Sequence, residues 1–183
     1  MHRIIYFFIL LGGIFCFSCS PKSEQDKKLE AELRAFKEKA IIFPDNMVAK
    51  ICEGKTPLDT TLLNRPSKMV VYVGPDGCTD CKLRSLMPLY MFILENRHRD
   101  NFGVVVIVHS EDRKATEAVL EELRFRHTVF YDVDGSFKRL NPQLPDSEHF
   151  HTFLLNKGNK VVLIGNPTHN EKLKNLYLAE IEK

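Results

Sequence analysis

Cys78 and Cys81 enclose Thr79 and Asp80, and this spacing is the feature of the chain best suited to chemistry. Two cysteines one helical turn apart can close a disulfide with one another. At the start of a helix the unpaired N–H groups and the helix dipole also favour a negative sulfur. The pair therefore reads as a redox centre. Lys82 adds a positive charge nearby while Asp76 and Asp80 add negative ones, which leaves the sign of the net thiol shift open. Two other chemistries compete: an inert structural disulfide, and half of a zinc site. Zinc needs four ligands, typically a second cysteine pair, and the chain has none. No threonine lies three residues before Cys78 to polarise a peroxide, which counts against a peroxidase.

A strand-like run, Met69 to Val73, leads through Gly74-Pro75-Asp76-Gly77 to the cysteines. A helix is expected from near Cys81 to about Asn96, with Leu83, Leu86, Met87, Tyr90, Ile93 and Leu94 on its apolar face. Gly103 to Val108 is apolar throughout, as a central strand covered on both faces would be. A helix near 112–126 turns Ala115, Val119 and Leu123 inward, and Thr128 to Tyr131 is the next strand. Asp134-Gly135 turns into a short helix ending near Asn141-Pro142. Phe150–Leu155 and Val161–Gly165 read as a hairpin through Lys157-Gly158-Asn159. The last helix starts at a capping box, Thr168 with Glu171, and buries Leu173, Leu176, Tyr177 and Ile181. Upstream, residues 27–40 look helical through Leu29, Leu33, Phe36 and Ala40. Ile41 to Pro44 reads as a short edge strand and residues 52–67 as loop. The order is β-α-β-α-β followed by β-β-α, a mixed sheet with helices on both sides.

The N-terminus speaks to compartment. His2 and Arg3 precede an apolar stretch from Ile4 to Phe17, shorter than the roughly 20 residues of a spanning helix and suited to the h-region of a secretory signal. Ser18, Cys19 and the polar run from Ser20 resemble a bacterial lipoprotein signal. On that reading residues 1–18 are the signal peptide, Cys19 is acylated, and 19–40 form the anchor, tether and N-terminal helix of a domain at 41–183. The protein is then tethered to a membrane without spanning it. Losing Arg3 with the signal takes the formal charge from +2 to about +1, so nothing argues for nucleic acid. With Cys16 removed and Cys19 blocked, Cys52, Cys78 and Cys81 remain, too sparse for a disulfide-stapled scaffold. Cys52 reads as a buried apolar thiol in a loop.

A Cys-x-x-Cys at the first strand-to-helix junction, with a closing hairpin and helix, resembles the thioredoxin fold. More narrowly, the chain is similar to envelope lipoproteins related to TlpA-like thiol–disulfide oxidoreductases. Val71-Tyr72-Val73, Gly77 to Leu83, Phe153 to Val161 and Ile164 to Pro167 carry the likeness. The resemblance implies a three-layer α/β/α domain with a central mixed sheet and no bound cofactor. It further implies Cys78 as attacking thiolate and Cys81 as the cysteine that resolves the mixed disulfide. Substrates would be protein thiols or disulfides, with an upstream redox partner, on the periplasmic side of the envelope. Ser20 after the lipid cysteine points to the outer membrane by analogy with lipoprotein sorting.

The chain departs from the family pattern at four places. Gly77 replaces the aromatic residue that usually precedes the first cysteine, and Tyr72 stands where a buried acid is usual. Pro88 lies seven residues after Cys81 rather than five. His149-Phe150-His151-Thr152 occupies the place of the cis-proline that faces the disulfide. If residues 149–155 are extended, His149 and His151 share a strand face. One of them could then approach the sulfurs to bind a soft metal or stabilise a thiolate, or both could simply be solvated. His109 marks the end of the central strand. A copper or haem-pathway chaperone and a partner-binding module with vestigial cysteines are the alternative functions.

Overall fold

The computed structural model of the chain describes residues 23–51 and 58–183. The signal segment 1–18, Cys19 and Cys52 lie outside the described residues. Along the chain the elements are α1 (Glu24–Glu38), β1 (Val48–Lys50), β2 (Ser67–Val73), α2 (Thr79–Arg84), α3 (Met87–Asn96), β3 (Phe102–Val108), α4 (Arg113–Glu122), β4 (Val129–Tyr131), α5 (Ser136–Leu140), β5 (Thr152–Leu155), β6 (Val161–Ile164) and α6 (Glu171–Ile181).

The β-branched runs β2 and β3 pair in parallel, from Ser67 with Phe102 to Val73 with Val108, at the centre of a six-stranded sheet. β4 continues the parallel ladder beyond β3, and β1 closes that edge antiparallel to β4. On the other side β5 and β6 run antiparallel beside β2, so the order is β1-β4-β3-β2-β5-β6. Successive residues of a strand face opposite ways. Met69, Val71 and Val73 of β2, with Val104, Val106 and Val108 of β3, pack under α2, α3, α4 and α6. Val70, Tyr72, Val105 and Ile107 pack under α1, α5 and a 3₁₀ turn at Thr60–Asn64. Both faces are covered, which explains the unbroken apolar runs. The three-layer mixed-sheet architecture is thus as expected. No helix among the described residues is long and apolar enough to cross a membrane.

Several local expectations are corrected. The helix after the cysteines is two helices, because Pro88 has no N–H to offer the Arg84 carbonyl; Ser85 and Leu86 form the break. Residues 41–44 are not a strand. The Asn141 carboxamide takes the place of a neighbouring strand there, accepting from the Ile42 N–H and donating to its carbonyl, both at 2.8 Å. The edge strand is β1 instead. The cap of α6 is Asn170, whose side chain accepts from Lys172 and Leu173 N–H, while Thr168 sits in a 3₁₀ turn bonded to Asn166. Leu176 is 48 % exposed and Ala115 is also exposed; Thr116 and Leu120 form the buried stripe of α4. The first helix starts at a capping box of Ser23 and Asp26, and ends before Ala40, which bridges to Lys160.

Candidate active site

β2 hands the chain to the cysteines through a turn that ends in Gly77, whose φ of +71° lies in the left-handed region open to glycine. Cys78 then caps α2, its sulfur accepting the Cys81 N–H at 3.2 Å. The two cysteines are joined as a disulfide with their Cα atoms 5.3 Å apart. Both are exposed. The ladder runs slightly past the strands, with His109 N–H on the Val73 carbonyl and Asp132 N–H on the Val108 carbonyl. The loops following β2, β3 and β4 therefore gather at one pole, the usual place for a site in an open sheet of this kind.

Lys82, the residue after Cys81, is only 17 % exposed. Its ammonium donates to the carbonyls of Gly74 (3.1 Å) and Asp76 and pairs with Glu148 at 2.5 Å. All three N–H groups are thus engaged, and the residue pins the cysteine turn to the segment before β5. Asp80 is likewise occupied. Arg84 bonds it at 3.1 Å and forks onto Glu122 at 2.9 and 3.0 Å, tying α2 to the end of α4. That pairing holds the Glu122 carboxyl below its usual range. Of the charges flanking the cysteines, Lys82 and Asp80 are therefore partnered in the fold.

Beside α2 a groove of about 570 Å³ runs between the end of β2 and the segment before β5. Tyr72, Lys82, Ser85, Glu148, His149 and His151 are among its lining residues. The two histidines do not share a strand face, because residues 148–150 close a 3₁₀ turn. His149 is exposed while His151 turns inward, packs on the Tyr72 ring at 5.3 Å between centroids, and lies with Nε2 2.8 Å from the Pro145 carbonyl. Burial pushes the His151 imidazole below its ordinary range. Phe150 is half-buried beside them. There is no cis peptide bond among the described residues, so an ordinary trans backbone enters β5. Tyr72 is buried against Phe137 of α5, and burial, then Asp132 and Asp76, push its phenol up to about 12.

Sequence reasoning singled out the cysteine pair and the loop His149, Phe150 and His151 but missed three supports. Asp132 is 1 % exposed, and its carboxylate accepts from the Ser136 and Phe137 N–H groups and the Ser136 hydroxyl, capping α5. An aspartate four residues before a short helix was the available signal. Asn141 and the Lys82–Glu148 link join residues far apart in the chain, for which no local signal exists. His109 lies at the end of β3 against Gly135, where even a Cβ would come 2.7 Å from its ring. Among the described residues no group of three or more potential metal ligands gathers.

The fold is thioredoxin-like, and it carries the bonded pair Cys78–Cys81 at the junction of β2 and α2. Solved structures bear out the fold. A candidate thiol:disulfide interchange protein, DsbE, from Chlorobium tepidum superposes with a TM-score of 0.53 at 18 % identity, over 78 % of this chain and 99 % of its own. A thiol-disulfide oxidoreductase from Bacteroides fragilis gives 0.51 at 15 %, over 75 % and 99 %. A candidate protein disulfide isomerase from Bacteroides thetaiotaomicron gives 0.50 at 17 %, over 78 % and 87 %. No family model and no curated protein matches the sequence.

Proposed function

We propose that the protein is a thiol–disulfide oxidoreductase that exchanges electrons with protein thiols and disulfides through Cys78 and Cys81. The observation that carries this reading is an exposed Cys-x-x-Cys disulfide at the N-terminus of α2 on a thioredoxin-like sheet. In the reducing direction the Cys78 thiolate attacks a substrate disulfide, forming a mixed disulfide and releasing one substrate thiolate. Cys81, deprotonated, then attacks the Cys78 sulfur, closing the bond present in the structure and releasing the second substrate thiolate. Two electrons pass to the substrate, and an upstream dithiol must restore the pair. The reverse sequence oxidises a substrate dithiol. Direction is set by reduction potential, for which about 30 mV corresponds to about 1.4 kcal/mol.

The location we infer is the bacterial cell envelope, with Cys19 lipid-anchored and the domain facing the periplasm, on the outer membrane if Ser20 acts as a sorting residue. The apolar segment Ile4–Phe17 and the polar run after Cys19 support it. Among the described residues no group of three or more potential metal ligands gathers, so the copper-chaperone reading draws no support from the site.

The test is equilibration of the pair against glutathione and dithiothreitol buffers, together with a Cys81→Ser variant. A reversible couple between about −120 and −270 mV, and mixed disulfides trapped on Cys78 of that variant, are expected. A pair that resists reduction below about −300 mV is a structural disulfide, and the catalytic reading falls.

A further inference from the structure

Contacts along α1 fix the direction in which its N-terminus points. Ala40 bridges to Lys160, the Lys37 ammonium donates to the Val162 carbonyl at 3.4 Å, and Leu33 shares a groove with Leu163 and Ile164. Moving back along α1 therefore means moving forward along β6, so the two run antiparallel. β6 is parallel to β2, because both are antiparallel to β5. The N-terminus of α1 consequently lies at the pole where β2 ends and the cysteines begin. The levels agree as well. Ile164 stands across Phe153 from Val70, and Val73 is three residues, about 10 Å, further along β2. Ser23 is ten residues before Leu33, about 15 Å along the helix in the same direction.

The C-terminal half of α1 is held to the body by Phe36, fully buried with its ring 5.0 Å from that of Phe153. Every residue from Ser23 to Ala31 is exposed, and Glu24, Asp26, Lys27, Lys28 and Glu30 keep this end out of hydrocarbon. Cys19 precedes Ser23 by four residues, which reach at most about 14 Å. An acyl chain on Cys19 thus stands at the disulfide pole. Turning the disulfide away from the lipid would ask that tether to span the length of β2 as well, about 23 Å of strand.

We propose that α1 is a strut that turns the Cys78–Cys81 pole toward the bilayer holding Cys19, and that the pair exchanges with cysteines of a protein embedded in that bilayer and standing close to its surface. A lipid-held pair and a lipid-held partner meet at an effective concentration set by the tether, and do not meet when the tether cannot span the gap. This inference rests on the readings of Cys19 as lipid-anchored and of the pair as an oxidoreductase, and it names the kind of partner.

The experiment places the mature lipoprotein, its pair reduced, on vesicles of phosphatidylethanolamine and phosphatidylglycerol in which some ethanolamine headgroups carry a pyridyl disulfide. The pair closes its disulfide and gives two electrons, releasing the headgroup thiol and pyridinethione, whose absorbance is read. In the comparison chain the anchor sits at the opposite pole, where the Ile181 carbonyl accepts from the Asn101 carboxamide at 2.6 Å just before β3. It is the mature chain with Cys19→Ser and Lys183→Cys, coupled in its disulfide form through position 183 to a maleimide lipid and then reduced. Both chains carry Cys52→Ser, and each rate is divided by that with the same pyridyl disulfide on free ethanolamine. Held by Cys19, the pair should react with the headgroup at least about fivefold faster than when held by position 183. A smaller ratio overturns the proposal. Fluorophores on a single remaining cysteine of the lipoprotein give a second measure. Headgroup spin labels should quench one on Cys78 more than one on Lys157→Cys in the turn between β5 and β6, and equal quenching overturns the proposal whatever the comparison chain does. A lipoprotein that does not reduce the free disulfide removes the oxidoreductase reading, and one that does not float with the vesicles removes the anchor reading; either takes this inference with it. One that does both, with the ratio below fivefold, removes this inference alone.

Discussion

The Glu148 carboxylate meets the Lys82 ammonium at 2.5 Å, across the groove from the helix that carries the disulfide. The nearest basic side chain in sequence to Cys81 is thereby neutralised by a residue 66 positions further along, as Lys82 and Glu148 are numbered. Glu148→Gln removes that compensation and leaves the ammonium to favour a thiolate in the reduced form. The reduction potential should become less negative, by about 10–30 mV given partial solvent screening. Equilibration with redox buffers measures it, and an unchanged or more negative value would show that Lys82 acts only as a tie.

Gly77 sets the approach to Cys78 with its φ of +71°, and a Cβ there meets nothing within 4 Å. The cost of a larger residue is therefore backbone strain rather than collision. Gly77→Ala should destabilise the fold by about 1–2 kcal/mol, and Gly77→Asn by less, because asparagine tolerates this region. Urea denaturation of the two variants checks the order. Equal stability of all three proteins would mean that the turn relaxes. The same geometry explains why no aromatic residue precedes the first cysteine.

Asn141 is fully buried and stands in for a strand beside Ile42 while also donating to the Phe137 carbonyl at 2.7 Å. Asn141→Ala leaves the part-buried Ile42 N–H and carbonyl without the carboxamide, while the Phe137 carbonyl keeps the backbone N–H of residue 141, at about 2–4 kcal/mol in total. A drop in the denaturant midpoint of that size is expected. A loss below about 1 kcal/mol would indicate that water replaces the carboxamide.

Stability should fall as the solution is acidified from neutrality. Burial holds both His127 and His151 below the ordinary imidazole range. Below about pH 6.5 the unfolded chain binds protons that the folded chain refuses, so stability is full above that value and declines toward the folded pKa values. A second decline follows at lower pH. Asp134, held down to about 2 chiefly by a hydrogen bond from the Ser136 side chain, contributes above about pH 4 and ceases to do so as it protonates. Thermal melts between pH 7.5 and 5.5 should show the first decline. His127→Gln, which can keep a donor for the Val104 carbonyl now 2.7 Å from Nε2, should make it shallower. An unchanged slope would place its origin elsewhere.

The central strands and the cysteine pair were legible because their signals are local. A run such as Gly103 to Val108 can bury both faces only in the middle of a sheet, and two cysteines one turn apart have each other within reach whatever surrounds them. The hairpin turn between β5 and β6 is legible for the same reason. What the tertiary structure alone decided are contacts between residues distant in the chain. Residues 41–44 carry a strand-like pattern, yet Ile42 pairs with the side chain of Asn141 rather than with another strand. His149 and His151 alternate in the sequence as they would on one face, but the turn at 148–150 rotates one out and the other in against Tyr72. The charges beside the cysteines are readable as letters, but not their effect, because Glu148 and Glu122 arrive from other elements to pair with Lys82 and Arg84. Periodicity reports which way a residue faces along its own element. Which partner waits there depends on how elements far apart in the chain pack together.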